Sequence, residues 1–151
     1  MRRLTPGEAE LGLTMFGDSL ATECVRLFSW PAAWPGRPFV AGPSLIVWPW
    51  RHALADFACP SAPLHATATF VHELTHVWQA QRGVNLLTAK LRAGDSPQAY
   101  AYDAAGLEDF TALNIEQQAM AVQHAYLALR GEPCPYPAWA YGGVCAQLRR
   151  T

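Results

Sequence analysis

The chain lacks any run approaching the roughly 18 consecutive apolar residues of a membrane span, which argues against a transmembrane protein. It opens Met1-Arg2-Arg3 and moves at once into a turn-like Thr5-Pro6-Gly7, so no apolar signal core is legible and signal-peptide secretion is not expected. Charge is scarce: 11 basic and 12 acidic residues give a formal net charge of -1. Without a basic excess there is no electrostatic footprint for phosphate backbones or anionic lipid, so no nucleic acid and no membrane is expected as a partner. The four cysteines, Cys24, Cys59, Cys134 and Cys145, form no C-x-x-C pair. They read as small buried hydrophobes in a reducing compartment, with Cys134 and Cys145 the one pair spaced for a bridge. Internal repeats and low-complexity linkers are missing too.

Apolar and aromatic residues are plentiful. Hydrophobic residues make up 51% of the chain, with 6 Trp, 5 Tyr, 6 Phe and 12 Pro. That excludes a disordered chain, and 151 residues suit one domain whose core buries roughly two thirds of the unfolded surface.

Thr5-Pro6-Gly7-Glu8 is a helix start: Thr5 can accept from first-turn amides, Pro6 suits the first position and Glu8 completes a capping box. The helix is expected from Pro6 to Phe16, with Gly17 as its left-handed stop. Val25 to Phe28, Phe39-Val40 and Leu45 to Trp48 read as strands. Between them Pro31, Pro35, Pro38 and Pro43 forbid a long helix, and Trp30, Trp34, Trp48 and Trp50 read as cover for a small sheet or as a peptide-binding groove. A long helix is expected over His65 to Arg82, a loop from Gly83 to about Gly106, and a second long helix from near Glu108 to Arg130. A proline-rich tail over 132–151, packed or partly extended, completes a single domain.

The first long helix carries His72-Glu73-Leu74-Thr75-His76, the H-E-x-x-H arrangement. Four residues apart, two imidazoles leave a helix about 40° from each other, close enough for both to reach one zinc ion, while the intervening glutamate projects beside them. Phe70, Leu74, Val77 and Trp78 fall on one stripe, and His72, His76 and Gln79 on the opposite side. No Lys, Arg or Asp stands within the motif, as a water-restricted metal helix requires.

A catalytic zinc site needs a third protein ligand. Glu116 sits in a mostly apolar stripe of the second long helix, where an unpaired buried carboxylate is costly and a divalent cation removes the cost. Glu116 is the preferred third ligand; Asp103, Asp109 and His124 are the alternatives, and an ion pair with Arg82 or Arg92 is its ordinary explanation. Zinc on His72, His76 and Glu116, with Glu73 as general base, is the equipment for amide hydrolysis. Tyr100, Tyr102 and His124 are the candidate donors to a developing oxyanion, with Tyr102 and His124 carried as catalytic residues beside Glu73.

Several blocks resemble the small zincin-like domains of Vgr-related and Rhs-associated proteins of bacterial type VI secretion. They are Leu4-Thr5-Pro6-Gly7-Glu8, Phe16-Gly17-Asp18, Val25-Arg26, His72 through Gln79, Tyr100-Ala101-Tyr102-Asp103 and Asn114-Ile115-Glu116-Gln117-Gln118-Ala119. The resemblance implies a minimal α+β zincin-like metallopeptidase fold, with a small antiparallel or mixed sheet on the H-E-x-x-H helix and the third ligand on the second long helix. It implies Zn2+ on His72, His76 and Glu116, a peptide or protein substrate and a secretion-system protein partner. The competing expectation is an adaptor module of the same shape without catalysis. Localisation is expected to be cytoplasmic, with any export by a route that needs no signal peptide.

Overall fold

Thr5 and Glu8 form the capping box that starts the first helix, and Glu8 does much more. In the computed structural model, which describes residues 1–150, Glu8 is fully buried in the first turn of Pro6–Phe16 (α1). Its two oxygens accept from both Arg2 guanidinium nitrogens at 2.7 Å, from the Thr5 N–H at 2.9 Å and from the Phe57 N–H at 2.9 Å. One carboxylate thereby ties the N-terminal segment and the 57 loop to the helix start. Glu8→Ala strands three donors and is expected to cost roughly 3 kcal/mol, read as a lower urea midpoint at unchanged m.

The sheet has four strands in the order β1-β2-β4-β3, with β1 at Arg2–Arg3, β2 at Arg26–Trp30, β3 at Phe39–Val40 and β4 at Leu45–Pro49. β1 and β3 pair antiparallel to their neighbours, while β2 and β4 run parallel in the register Arg26↔Leu45 to Trp30↔Pro49. The architecture is therefore α+β with a mixed sheet, enlarged by an N-terminal strand too short to carry a sequence pattern. Leu27, Val40, Ile46 and Trp48 are buried, and Trp48, Phe57 and Phe70 join sheet to helix through ring contacts of 4.2 and 5.1 Å.

The helix Leu64–Gln81 (α2) is buried at every position from Phe70 to Gln79. Two opposite faces are thus covered, one by the sheet and core, the other by a second helix. Among the described residues no helix is long and apolar enough to cross a membrane.

Three sequence expectations need correction. The 83–106 stretch is not a loop: it holds Leu86–Ala93 (α3), Pro97–Tyr100 (α4) and Ala104–Glu108 (α5). Its turn residues act as caps, since Asn85 and Asp103 accept from the Thr88 and Gly106 amides and Gly94, at φ 78, closes α3. The second long helix starts later than expected, at Ile115–Leu129 (α6), because Asn114 and Gln117 form a capping box ahead of it. In the tail, expected to be packed or partly extended, Gly142–Arg149 (α7) buries Val144 and Leu148. The cysteines are free thiols but not buried ones, Cys24 being exposed and Cys59, Cys134 and Cys145 half-buried.

Candidate metal centre

α2 and α6 pack side by side in opposite directions, since His72 meets Gln123, His76 meets Glu116 and Gln79 meets Ile115. This arrangement turns a helix repeat into a site. His72 and His76, one turn apart, present their rings edge to face at 4.9 Å. Both Nε2 atoms lie over one oxygen of Glu116, Oε2, at 3.4 Å from His72 and 3.3 Å from His76. Among the described residues this is the one group of three or more such side chains whose ligand atoms come together, all within 4.8 Å.

The remaining atoms of these residues are engaged elsewhere. Nδ1 of His72 is 3.1 Å from Gln123 Oε1 and Nδ1 of His76 is 2.8 Å from Gln79 Oε1. An amide oxygen has no hydrogen to give, so each imidazole donates through Nδ1 and a neutral ring keeps a lone pair on Nε2. Two lone pairs then confront a carboxylate oxygen in a buried space. The Nε2 of His76 and Oε2 of Glu116 have no hydrogen-bond partner, and neither has Oε2 of Glu73. Such a constellation is repulsive unless positive charge sits at its centre, and its donor set of two imidazoles and a carboxylate fits a divalent zinc-type cation.

Lys90, the only lysine of the chain, stands 3.5 Å from the other Glu116 oxygen, Oε1. The ion-pair partner is thus neither Arg82 nor Arg92. Lys90 has no spacing relation to the motif that a sequence could reveal.

The other candidates separate cleanly. Asp103 caps α5 and Asp109 accepts from Thr111 Oγ1 at 2.7 Å, so neither joins the cluster. Tyr100 bonds Asp95 at 3.2 Å and belongs to the exposed Arg37–Asp95 pair. Tyr102 and His124 are brought together, the Tyr102 hydroxyl lying 2.5 Å from His124 Nδ1 and 2.8 Å from the Tyr141 hydroxyl. Burial above all, then the bond to Tyr141, raises the Tyr102 phenol far beyond its ordinary range. Glu73 is buried on α2 between the two histidines in sequence. Gln117 serves the α6 cap and Gln118 reaches Gln79, so neither touches Glu116 as a support.

Burial lowers the His124 imidazole below its usual 6.5. As pH falls through 6.5 the unfolded chain takes up this proton first, so stability is highest above that value and declines until the folded value is passed. His124→Gln is expected to flatten that part of the pH dependence of the unfolding midpoint between about pH 7 and 5.

The fold and the site together define an α+β domain in which paired helices bring two histidines and a glutamate onto one buried point. No protein-family model matches the chain. It is 33% identical over 136 residues to the type VI secretion system spike protein VgrG2b of Pseudomonas aeruginosa, an alignment that covers 83% of the chain. The same alignment spans only 13% of that spike protein. A solved structure, the effector domain of Pseudomonas aeruginosa VgrG2b, matches with a TM-score of 0.66 and 31% identity, covering 97% of the chain and 80% of the domain. The chain belongs to the family of the VgrG2b effector domain, and the Vgr relationship expected from its blocks holds.

Proposed function

We propose that this domain is a zinc-dependent metallopeptidase of minimal zincin-like fold, acting on a peptide or protein substrate and linked to type VI secretion. The observation that carries the reading is the buried convergence of His72 Nε2, His76 Nε2 and Glu116 Oε2, acceptors without a donor between them. His72, His76 and Glu116 would hold the metal. When bound, zinc supplies a Lewis acid that polarises a carbonyl and brings the pKa of its water toward about 7.

The chain's own residues supply the rest. Glu73 is buried with Oε2 unpartnered, so that oxygen is free to take a proton from water and return it to a leaving amine. With Tyr102 donating to Nδ1 of His124, the Nε2–H of that imidazole is left to stabilise negative charge growing on a carbonyl oxygen. Lys90 holds the far oxygen of Glu116 and so turns Oε2 toward the histidines.

Kinship with an effector domain of a secretion spike supports a secretion-system protein as partner and export with that apparatus. A second reading, a binding module without catalysis, draws on an apolar groove of about 630 Å³ lined by Trp30, Trp34, Pro35, Phe39, Val47 and Lys90. Trp34 there is 82% exposed. The test is zinc analysis of the purified protein combined with digestion of unfolded casein with and without a chelator. One equivalent of zinc and chelator-sensitive cleavage support the peptidase, whereas zinc without cleavage of casein or of a peptide library favours the binding module.

A further inference from the structure

We infer that Gln79 is a positioning residue whose side-chain oxygen decides which nitrogen of His76 faces the metal, and that Gln123 does the same for His72 with a looser hold. The inference rests on the metal-site reading and concerns residues that reading leaves without a role.

The two ends of the Gln79 amide can be told apart by following its bonds. Gln118 donates through Nε2 to the Phe110 carbonyl at 3.1 Å, which leaves Gln118 Oε1 facing Gln79. Gln79 therefore presents its NH2 group there, donating to Gln118 Oε1 at 2.8 Å and to the Ile115 carbonyl at 3.0 Å. Its own Oε1 is turned to Nδ1 of His76 at 2.8 Å. Flipping the amide would break both donated bonds and set its oxygen against the Gln118 Oε1 and Ile115 carbonyl oxygens. Gln79 is 1% exposed, so water has no room to substitute. The chain Phe110, Gln118, Gln79, His76 thus fixes one tautomer: hydrogen on Nδ1, lone pair on Nε2, aimed at Glu116.

Gln123 differs in one respect. Its Oε1 stands 3.1 Å from Nδ1 of His72, but among the described residues nothing accepts from its NH2 group, and the side chain is only half-buried. The same tautomer is favoured there without being locked. His72 is accordingly the adjustable ligand and His76 the fixed one. Outer partners of this kind orient ligand imidazoles and raise their basicity, and losing one typically weakens metal binding about 10- to 100-fold.

A pair of substitutions separates positioning from ordinary packing. Gln79→Glu keeps an acceptor opposite Nδ1 and gives up both donated bonds; Gln79→Met gives up the same two bonds and the acceptor as well. Zinc affinity, read by competition with a chromogenic chelator, is expected to fall about 10- to 100-fold in Gln79→Met, to stay near wild type in Gln79→Glu, and to fall less in Gln123→Met. A purely structural role would weaken Gln79→Met and Gln79→Glu alike, and that result, or no loss in Gln79→Met, overturns the inference. If wild type itself takes up no zinc, it is the metal-site reading that fails. Should the Gln79 variants not fold, nitrogen NMR of the zinc-loaded wild type decides: a slowly exchanging proton on His76 Nδ1 supports the assignment, and a proton on Nε2 overturns it.

Discussion

Glu73→Gln is expected to lower turnover about 10²- to 10⁴-fold while zinc content stays at the wild-type level. The substitution keeps the size of the side chain and removes only the ability to take a proton. Glu73 lies between the histidines in sequence but its oxygens are not among the three converging ligand atoms. Oε2 is buried without a partner, so no hydrogen bond holds it in a structural role. The checks are a cleavage assay on the two proteins and metal analysis of the same preparations. Wild-type turnover in the variant would remove Glu73 as base, and loss of zinc would make it a ligand.

The second large effect concerns the cluster itself. Glu116→Ala and His76→Ala are each expected to abolish high-affinity zinc binding, and with it the stabilisation that a folded-state ligand confers. At free zinc about a thousandfold above the dissociation constant that stabilisation is about 4 kcal/mol, or roughly 10 °C in Tm for a domain of this size. With chelator present the sign of the argument changes. Metal-free wild type keeps two imidazole lone pairs against a carboxylate, so removing Glu116 relieves a repulsion as well as an ion pair with Lys90. The gap in Tm between wild type and Glu116→Ala is therefore expected to be wide in zinc and to close in chelator. A gap that persists in chelator would make Glu116 a structural ion-pair residue.

The parts of this site that were legible in the sequence share one property: they lie within a single helix or beside its cap. His72, Glu73 and His76 stand at a spacing that only one face of a helix can use, and the α1 cap is written in four consecutive residues. Glu116 was legible because a lone carboxylate in an apolar stripe needs a counter-charge. The error in the middle of the chain was to expect a loop over 83–106, where Asn85, Gly94 and Asp103 cap short helices. The same residue types that interrupt one helix also cap a short one, and which role they take depends on whether the few residues between them find something to pack on. Leu86 does, being buried against the core, so α3 forms.

The sequence by itself determined the first long helix, the body of the second, the strands of the Trp-rich half and the identity of the converging histidines, because each follows from periodicity or capping chemistry over fewer than about 20 residues. Tertiary structure alone decided that α6 lies antiparallel on α2, that Gln79 and Gln123 rather than any charged group face the imidazole Nδ1 atoms, and that Lys90 is the counter-charge of Glu116. Those pairings join residues far apart in the chain, and their energies depend on burial and on which atoms are left without partners. Both are properties of the packed state, fixed only when every element has found its place.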